Sequence, residues 1–228
     1  MQFDLTKAID GVLLVDKSAG WTSFDVCAKI RGQVRAQYTA RGEKPTKRQL
    51  RVGHAGTLDP FATGLLIVLL GDATKQADKF LKLDKVYEAT IRLGFTSSTG
   101  DPEGTITPHP SAPGLARRKT EVEEVLKQFV GDIEQRPPAY SAIKINGQRA
   151  YKLAREGKDV EVPLRTVKIH SIKMIEYSYP EIVIRAHVGS GTYIRSLAMD
   201  IGQTLGTGAY CSQLRRTQIG SYTLSEIG

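Results

Sequence analysis

Hydrophobic positions change period several times along this chain, and each change marks an element. Gly11-Val-Leu-Leu-Val15 is a short apolar run that reads as a buried strand. Thr22 or Ser23 then offers a helix N-cap, and a helix is predicted from there through about Val34. Leu65-Leu-Ile-Val-Leu-Leu70 lies between Gly64 and Gly71 without a polar position, which predicts a strand covered on both faces. Asp72 is placed to cap a following helix that carries Ala73, Ala77, Phe80 and Leu81. From Tyr87 the pattern alternates: Tyr87, Ala89, Ile91 and Leu93 on one face, Glu88, Thr90 and Arg92 on the other, a half-buried strand.

Residues 99–114 are rich in Gly and Pro and read as a loop. Thr120-Glu-Val-Glu123 has the form of a capping box, before a helix with Val122, Val125, Leu126 and Phe129 on its apolar face. A helix is expected around Gln148–Glu156, ending near Gly157; strands at Val167–Tyr177 and Ile182–Val188; and a helix over Tyr193–Leu205. Strands and helices mix without a regular βαβ repeat. The expectation is one α+β domain over residues 1–228, built on a largely antiparallel sheet.

Composition narrows the class. With 228 residues, 40% of them hydrophobic, the chain can bury a real core. No apolar run approaches the roughly 20 residues a membrane helix requires, and Met1–Asp10 lacks the apolar stretch of a secretory signal. Cys27 and Cys211 are far apart, which indicates neither a disulfide framework nor a zinc knuckle; a cytoplasmic address is expected. The net charge of +8 favours an anionic partner, nucleic acid foremost. The excess is concentrated between Lys29 and Arg51, where Lys29, Arg31, Arg35, Arg41, Lys44, Lys47, Arg48 and Arg51 face one acid, Glu43. The centre of that segment, Arg41–Lys47, reads as a mobile basic loop, either a solvated insertion or an arm for phosphate.

The densest candidate chemistry is Gly53-His-Ala-Gly-Thr-Leu-Asp-Pro-Phe-Ala-Thr-Gly64, directly before the apolar strand. Three glycines and a proline can hold Asp59 in a fixed pose close to a ligand. The same residues equally suit a turn in which Asp59 bonds local backbone N–H groups. Gly189-Ser-Gly-Thr-Tyr-Ile-Arg195 is a second glycine-rich turn, at a helix start, without the third glycine of a dinucleotide site. The four histidines, His54, His109, His170 and His187, are dispersed, so no metal is expected.

These segments resemble the TruB family of tRNA pseudouridine synthases. Gly53–Gly64 is similar to its catalytic-loop signature, and Val15–Ser23 to its N-terminal motif. Lys85–Ala89, Gln135–Lys144 with Gly147, Ala150-Tyr151 and Ala154–Gly157, Ser190–Arg195 and Leu214–Arg216 follow in the family's order, so the resemblance runs from about Gly11 to Tyr222. Departures are Ser18 for a usual proline, Ser98 for a common aspartate, Gly189 for a frequent cysteine, and a longer Arg35–Lys47. The PUA domain of many relatives is not visible after Tyr222, so weaker and more salt-sensitive tRNA binding is expected.

The resemblance implies a pseudouridine synthase fold and isomerisation of uridine at position 55 of the tRNA T-arm, by a monomer with no cofactor and no metal. It makes Asp59 the catalytic carboxylate, attacking C1′ of the ribose or taking a proton from C2′. Arg195 becomes its cationic partner. Tyr87 becomes the ring under the everted base that helps remove the C5 proton, and His54 the plug in the vacated stack. Lys17, Gly56, Thr57, Leu58, Tyr193 and Leu214 become substrate-contacting residues. For Tyr87 plain strand packing is an equal reading, and for Lys17 an ordinary surface lysine. A non-catalytic RNA-binding protein would keep the basic surface without needing Asp59. A glycoside hydrolase would require a second carboxylate about 5–9 Å away, which the Asp59 loop does not offer.

Overall fold

The computed structural model describes residues 2–110, 117–138, 144–145, 148–149 and 162–227. They form two compact units: residues 1–87 with 215–228, and residues 88–214. The chain passes from one unit to the other inside two strands, β4 (Lys85–Leu93) and β12 (Ala209–Ile219).

The first unit is organised around β3 (Thr63–Leu70). Leu65 through Leu69 are all 0% exposed, so the strand is covered on both faces as its unbroken apolar run predicts. One edge of β3 pairs antiparallel with β1 (Val12–Lys17), Lys17 opposite Gly64. It also pairs antiparallel with β2 (Val52–His54), while Thr63 and Gly64 pair parallel with Arg215 and Arg216 of β12. Leu65, Ile67 and Leu69 pack with Ala55, Ala73, Phe80 and Ile219 into one core. β2 and β3 are therefore two strands of a hairpin whose connection, residues 55–62, carries Asp59.

Helix α1 runs Ser23–Ala40, six residues beyond the expected Val34. Thr22 is its N-cap: its hydroxyl accepts from Asp25 N, and the Asp25 carboxylate accepts from Thr22 N. Val26, Cys27 and Ile30 form its buried stripe. Asp72 does not cap a helix. Gly71–Gln76 is a 3₁₀ segment leading into the short α2 (Ala77–Leu81), and the Asp72 carboxylate pairs with Arg48 and Lys75.

In the second unit the sheet order is β4-β11-β10-β7, with β7 at Gly131–Gln135, β10 at Arg165–Ser178 and β11 at Glu181–Val188, and the β10 pairings antiparallel. Bulges interrupt β10 against β11 at Ile169/Ser171 and Met174/Glu176. Part of the predicted 99–114 loop is strand: β5 (Phe95–Ser97) and β6 (Ile106–Pro108) form a hairpin. Helix α3 (Lys119–Gln128) buries Val122 and Leu126 as expected, but its cap lies earlier than the predicted box, since the Glu121 carboxylate accepts from Arg118 N. Gln148–Arg149 is strand β9, paired with β8 (Lys144–Ile145), instead of a helix start; the rest of that predicted helix lies outside the described residues. Helix α4 is Ile194–Thr204, with Tyr193 at its N-cap. No helix among the described residues is long and apolar enough to cross a membrane.

Gly64 joins the β2–β3 connection to the core strand at φ +103°, and a Cβ there would lie 2.2 Å from the backbone oxygen of Arg216. A side chain would meet both left-handed backbone strain and an immovable strand. Gly64→Ala is expected to destabilise the protein by more than about 2 kcal/mol, read as a lowered midpoint in denaturant unfolding; an unchanged midpoint would contradict this packing.

Candidate active site

The connection 55–62 folds around Asp59, which is half-buried, with the neighbouring Thr57 exposed and Leu58 and Ala62 buried. A loop of this kind holds few of its own backbone bonds; here Ala55 N reaches Ile67 O and Ala62 N reaches Asp59 O. The carbonyls of Gly56, Thr57, Leu58 and Pro60 are met by side chains from three other segments. Arg216, 1% exposed, donates Nε to Leu65 O at 2.8 Å, Nη2 to Gly56 O at 3.0 Å and Nη1 to Thr57 O at 3.5 Å. The planar guanidinium has several donors in one rigid fork, so a single side chain ties the loop to the core strand. Gly56 stands at φ +107°, and a Cβ there would approach Arg216 Nη1 to 3.5 Å.

Lys17 holds the other side. It lies on the buried face of β1 with Leu13 and Val15, and it is 0% exposed. Its Nζ donates to Trp21 O at 2.6 Å, Ser18 O at 3.1 Å and Pro60 O at 3.3 Å, which uses the three donors of an ammonium. The surface-lysine reading is thereby corrected: strand alternation turns Lys17 inward, onto the backbone beside Asp59. Pro60 O also accepts from Gly20 N at 2.9 Å. Between these two cations, Ser23 Oγ accepts from Leu58 N at 2.9 Å and donates to Leu58 O at 3.3 Å. Gly56, Thr57, Leu58 and Pro60 are thus bound through their main chain. Of the residues expected to touch substrate, Leu58 and Leu214 are buried side chains, 3% and 8% exposed.

His54 ends β2. Its Nδ1 is buried without a hydrogen-bond partner, and its ring meets Phe24 edge-on, centroids 5.0 Å apart at 83°. Burial, with the nearby Arg216 charge second, holds its pKa below the usual 6.5. Tyr87, 9% exposed, sits on the buried face of β4 with Ala89 and Ile91. Cys27 is buried and its thiol is pushed up to about 11 by that burial, which removes it as a nucleophile.

In the second unit, Arg195 of α4 is 4% exposed and donates Nη1 to Asp101 Oδ2 at 2.8 Å and to Thr99 O at 2.9 Å. Asp101, 2% exposed, also accepts from Thr99 Oγ1 at 2.5 Å and Glu103 N at 3.0 Å. Burying two charges is tolerable because they meet each other and each bonds further partners. Tyr193 is fixed through its main chain, its N–H donating to Gln135 Oε1 at 2.8 Å and its carbonyl accepting from Gln135 Nε2 at 3.1 Å.

The basic segment divides in two. Arg31 donates to Leu50 O and Val52 O, and Arg48 pairs with Asp72, so both are committed within the protein. Lys29, Arg35, Arg41, Lys44, Lys47 and Arg51 are exposed. Pattern reading gave no individual role to Arg216 and Ser23, which bind the Asp59 loop, or to Asp101, which binds Arg195. It also missed that the β10 bulge helps bring the His170 and His187 rings to 4.5 Å.

Comparison with known proteins supplies the family. The family described as "TruB family pseudouridylate synthase (N terminal domain)" matches residues 44–194, and "tRNA pseudouridylate synthase B C-terminal domain" matches residues 195–227. The tRNA pseudouridine synthase B of Parabacteroides distasonis is 45% identical, over 93% of this chain and 87% of its own length. That of Francisella tularensis subsp. novicida is 44% identical, over 96% of this chain and 68% of its own. A chain of the solved structure "Crystal Structure of a Cbf5-Nop10-Gar1 Complex" superposes with a TM-score of 0.67 at 32% identity; the match covers 93% of this chain and 50% of that one. Agreement over nearly the whole chain defines a pseudouridine synthase with the expected α+β fold. The chain belongs to the TruB family of those enzymes.

Two outcomes follow from the cage. Arg216→Met leaves the Gly56 and Leu65 carbonyls without their buried donor and is expected to cost about 2–4 kcal/mol in unfolding free energy. Turnover should fall as well, and wild-type stability with wild-type turnover would contradict the cage. For His54 the sign is set by its lowered pKa. The unfolded chain binds the proton more readily, so stability is complete above about pH 6.5 and is lost as pH falls through that value toward the folded one. His54→Gln should flatten this part of the stability profile between pH 5 and 8; superimposable profiles would refute it.

Proposed function

We propose that this enzyme converts uridine to pseudouridine in the T-arm of tRNA, at position 55, acting in the cytoplasm with Asp59 as its catalytic carboxylate. The observation that carries the reading is the connection 55–62: its backbone is bound to buried Arg216, Lys17 and Ser23, while the Asp59 residue stays half-exposed. A carboxylate carried on so constrained a loop suits chemistry in which position supplies much of the rate.

The reaction breaks the N1–C1′ bond, turns the uracil over and joins C5 to C1′; C5 loses its proton and N1 regains one, so no redox partner or group donor is consumed. Asp59 acts on the ribose. The family resemblance gives Arg195 the part of a cationic partner in the reaction; Tyr87 lies against the everted base and assists loss of the C5 proton, and His54 fills the vacated place in the stack. Holding the imidazole neutral suits that last role, because an uncharged ring enters a base stack without shedding a tightly held hydration shell. The exposed cations between Lys29 and Arg51 supply sequence-independent attraction for the RNA backbone, which salt screens. The relatives named above, tRNA pseudouridine synthases, support tRNA as substrate.

Purified protein incubated with unmodified tRNA transcript is expected to place pseudouridine at position 55. Asp59→Asn should slow this by about 10²–10⁴-fold, the range for loss of one positioned catalytic group, with tRNA binding retained. Conversion by the variant at the wild-type rate would overturn the assignment and favour a non-catalytic RNA-binding role for the loop.

A further inference from the structure

Phe24 is a solvent-open aromatic ring beside the Asp59 loop, 62% exposed in the first turn of α1. It falls off the helix's buried stripe of Ser23, Val26, Cys27 and Ile30, so packing of the helix does not require an aromatic there. Its ring meets His54 edge-on, centroids 5.0 Å apart, which steadies the phenyl group while most of its surface stays open. Ser23, the adjacent residue, is hydrogen-bonded to Leu58, so Phe24 is anchored one residue from the cage around Asp59. Ala28, Gly32 and Arg35 continue the same helix face, all exposed. The two small residues allow a chain to lie close to the helix, and Arg35, about 16 Å further along, meets it with positive charge.

We propose that Phe24 is a stacking platform for an unpaired nucleobase next to the reacting uridine. This rests on the RNA-modifying role proposed above. An exposed ring with two torsions, held from one side, gains contact area with a base at little entropic cost, and such stacking is tolerant of base identity. His54 and Phe24 then form one aromatic unit, the imidazole serving the place of the everted base and the phenyl its neighbour.

The test is a cycle between protein and RNA. Binding of a T-arm stem-loop is measured in the Asp59→Asn background with Phe24 intact or changed to Ala, Leu or Trp. Each is paired with RNA that is intact or abasic on the 5′ or the 3′ side of the target uridine. Phe24→Ala and Phe24→Leu are expected to bind about tenfold more weakly, and Phe24→Trp as tightly as the parent. At one flanking position the abasic RNA should cost the parent a similar factor, with Phe24→Ala adding nothing further. Parental affinity in Phe24→Leu would show that apolar cover of His54 suffices, and independent, multiplying losses at both flanking positions would show that no base stacks there; either overturns the proposal. If Phe24→Ala proves unstable, the contrast between the Leu and Trp variants decides the outcome. Turnover by the protein with Asp59 intact keeps the two readings apart: activity with indifference to Phe24 rejects the platform alone, whereas no activity on tRNA rejects both.

Discussion

The buried guanidinium of Arg216 sets the terms for the rest of the first unit. Its fork joins the carbonyl of Leu65, in the strand at the centre of the core, to the carbonyls of Gly56 and Thr57 in the loop that carries Asp59. A charge with 1% exposure is tolerable only when its donors are met, and backbone carbonyls meet them here. The consequence runs both ways. The loop stabilises the buried cation, and the cation denies the loop the freedom its glycines and proline would otherwise leave it. Gly64 is fixed by the same arrangement, since β12 must pass so close that no side chain fits.

Lys17 repeats the device from the opposite strand, with three carbonyls around an ammonium, and Ser23 adds a reciprocal pair of bonds to Leu58. Polar side chains of the kinds common in catalytic machinery are thus spent on the backbone of the loop that carries Asp59. The second unit follows the same logic with a different acceptor: Asp101 receives Arg195, the Thr99 hydroxyl and the Glu103 N–H hold Asp101, and the arginine reaches a defined pose without solvent.

Much of the architecture was legible from periodicity. The unbroken Leu65–Leu70 run became a strand covered on both faces, the alternation from Tyr87 became β4, and the helix expected over Tyr193–Leu205 became α4, with Leu197 and Ile201 buried. The Asp59 loop was legible too, because glycine and proline crowd where backbone must turn tightly. What stayed hidden was set by partners distant in the chain. Arg216 and Lys17 are residue types that almost always face water, and their burial depends on carbonyls as many as 160 residues away. Asp101 looked like any acid in a polar loop until Arg195, 94 residues on, was placed against it. The α1 overrun past Val34 and the failed Asp72 cap have a local cause: Tyr38, Ala36 and Ala40 let a helix continue without an apolar face, and Arg48 and Lys75 took the Asp72 carboxylate first.

The central claim is that the cage presents Asp59 to the sugar of an everted uridine. A crystal structure of the Asp59→Asn protein with an unmodified T-arm stem-loop tests it most directly. The account predicts the side chain of residue 59 within hydrogen-bond reach of that ribose, with the Arg216 and Lys17 contacts to Gly56, Thr57 and Pro60 unchanged. A target uridine still stacked in its loop, or bound with its ribose remote from residue 59, would contradict it.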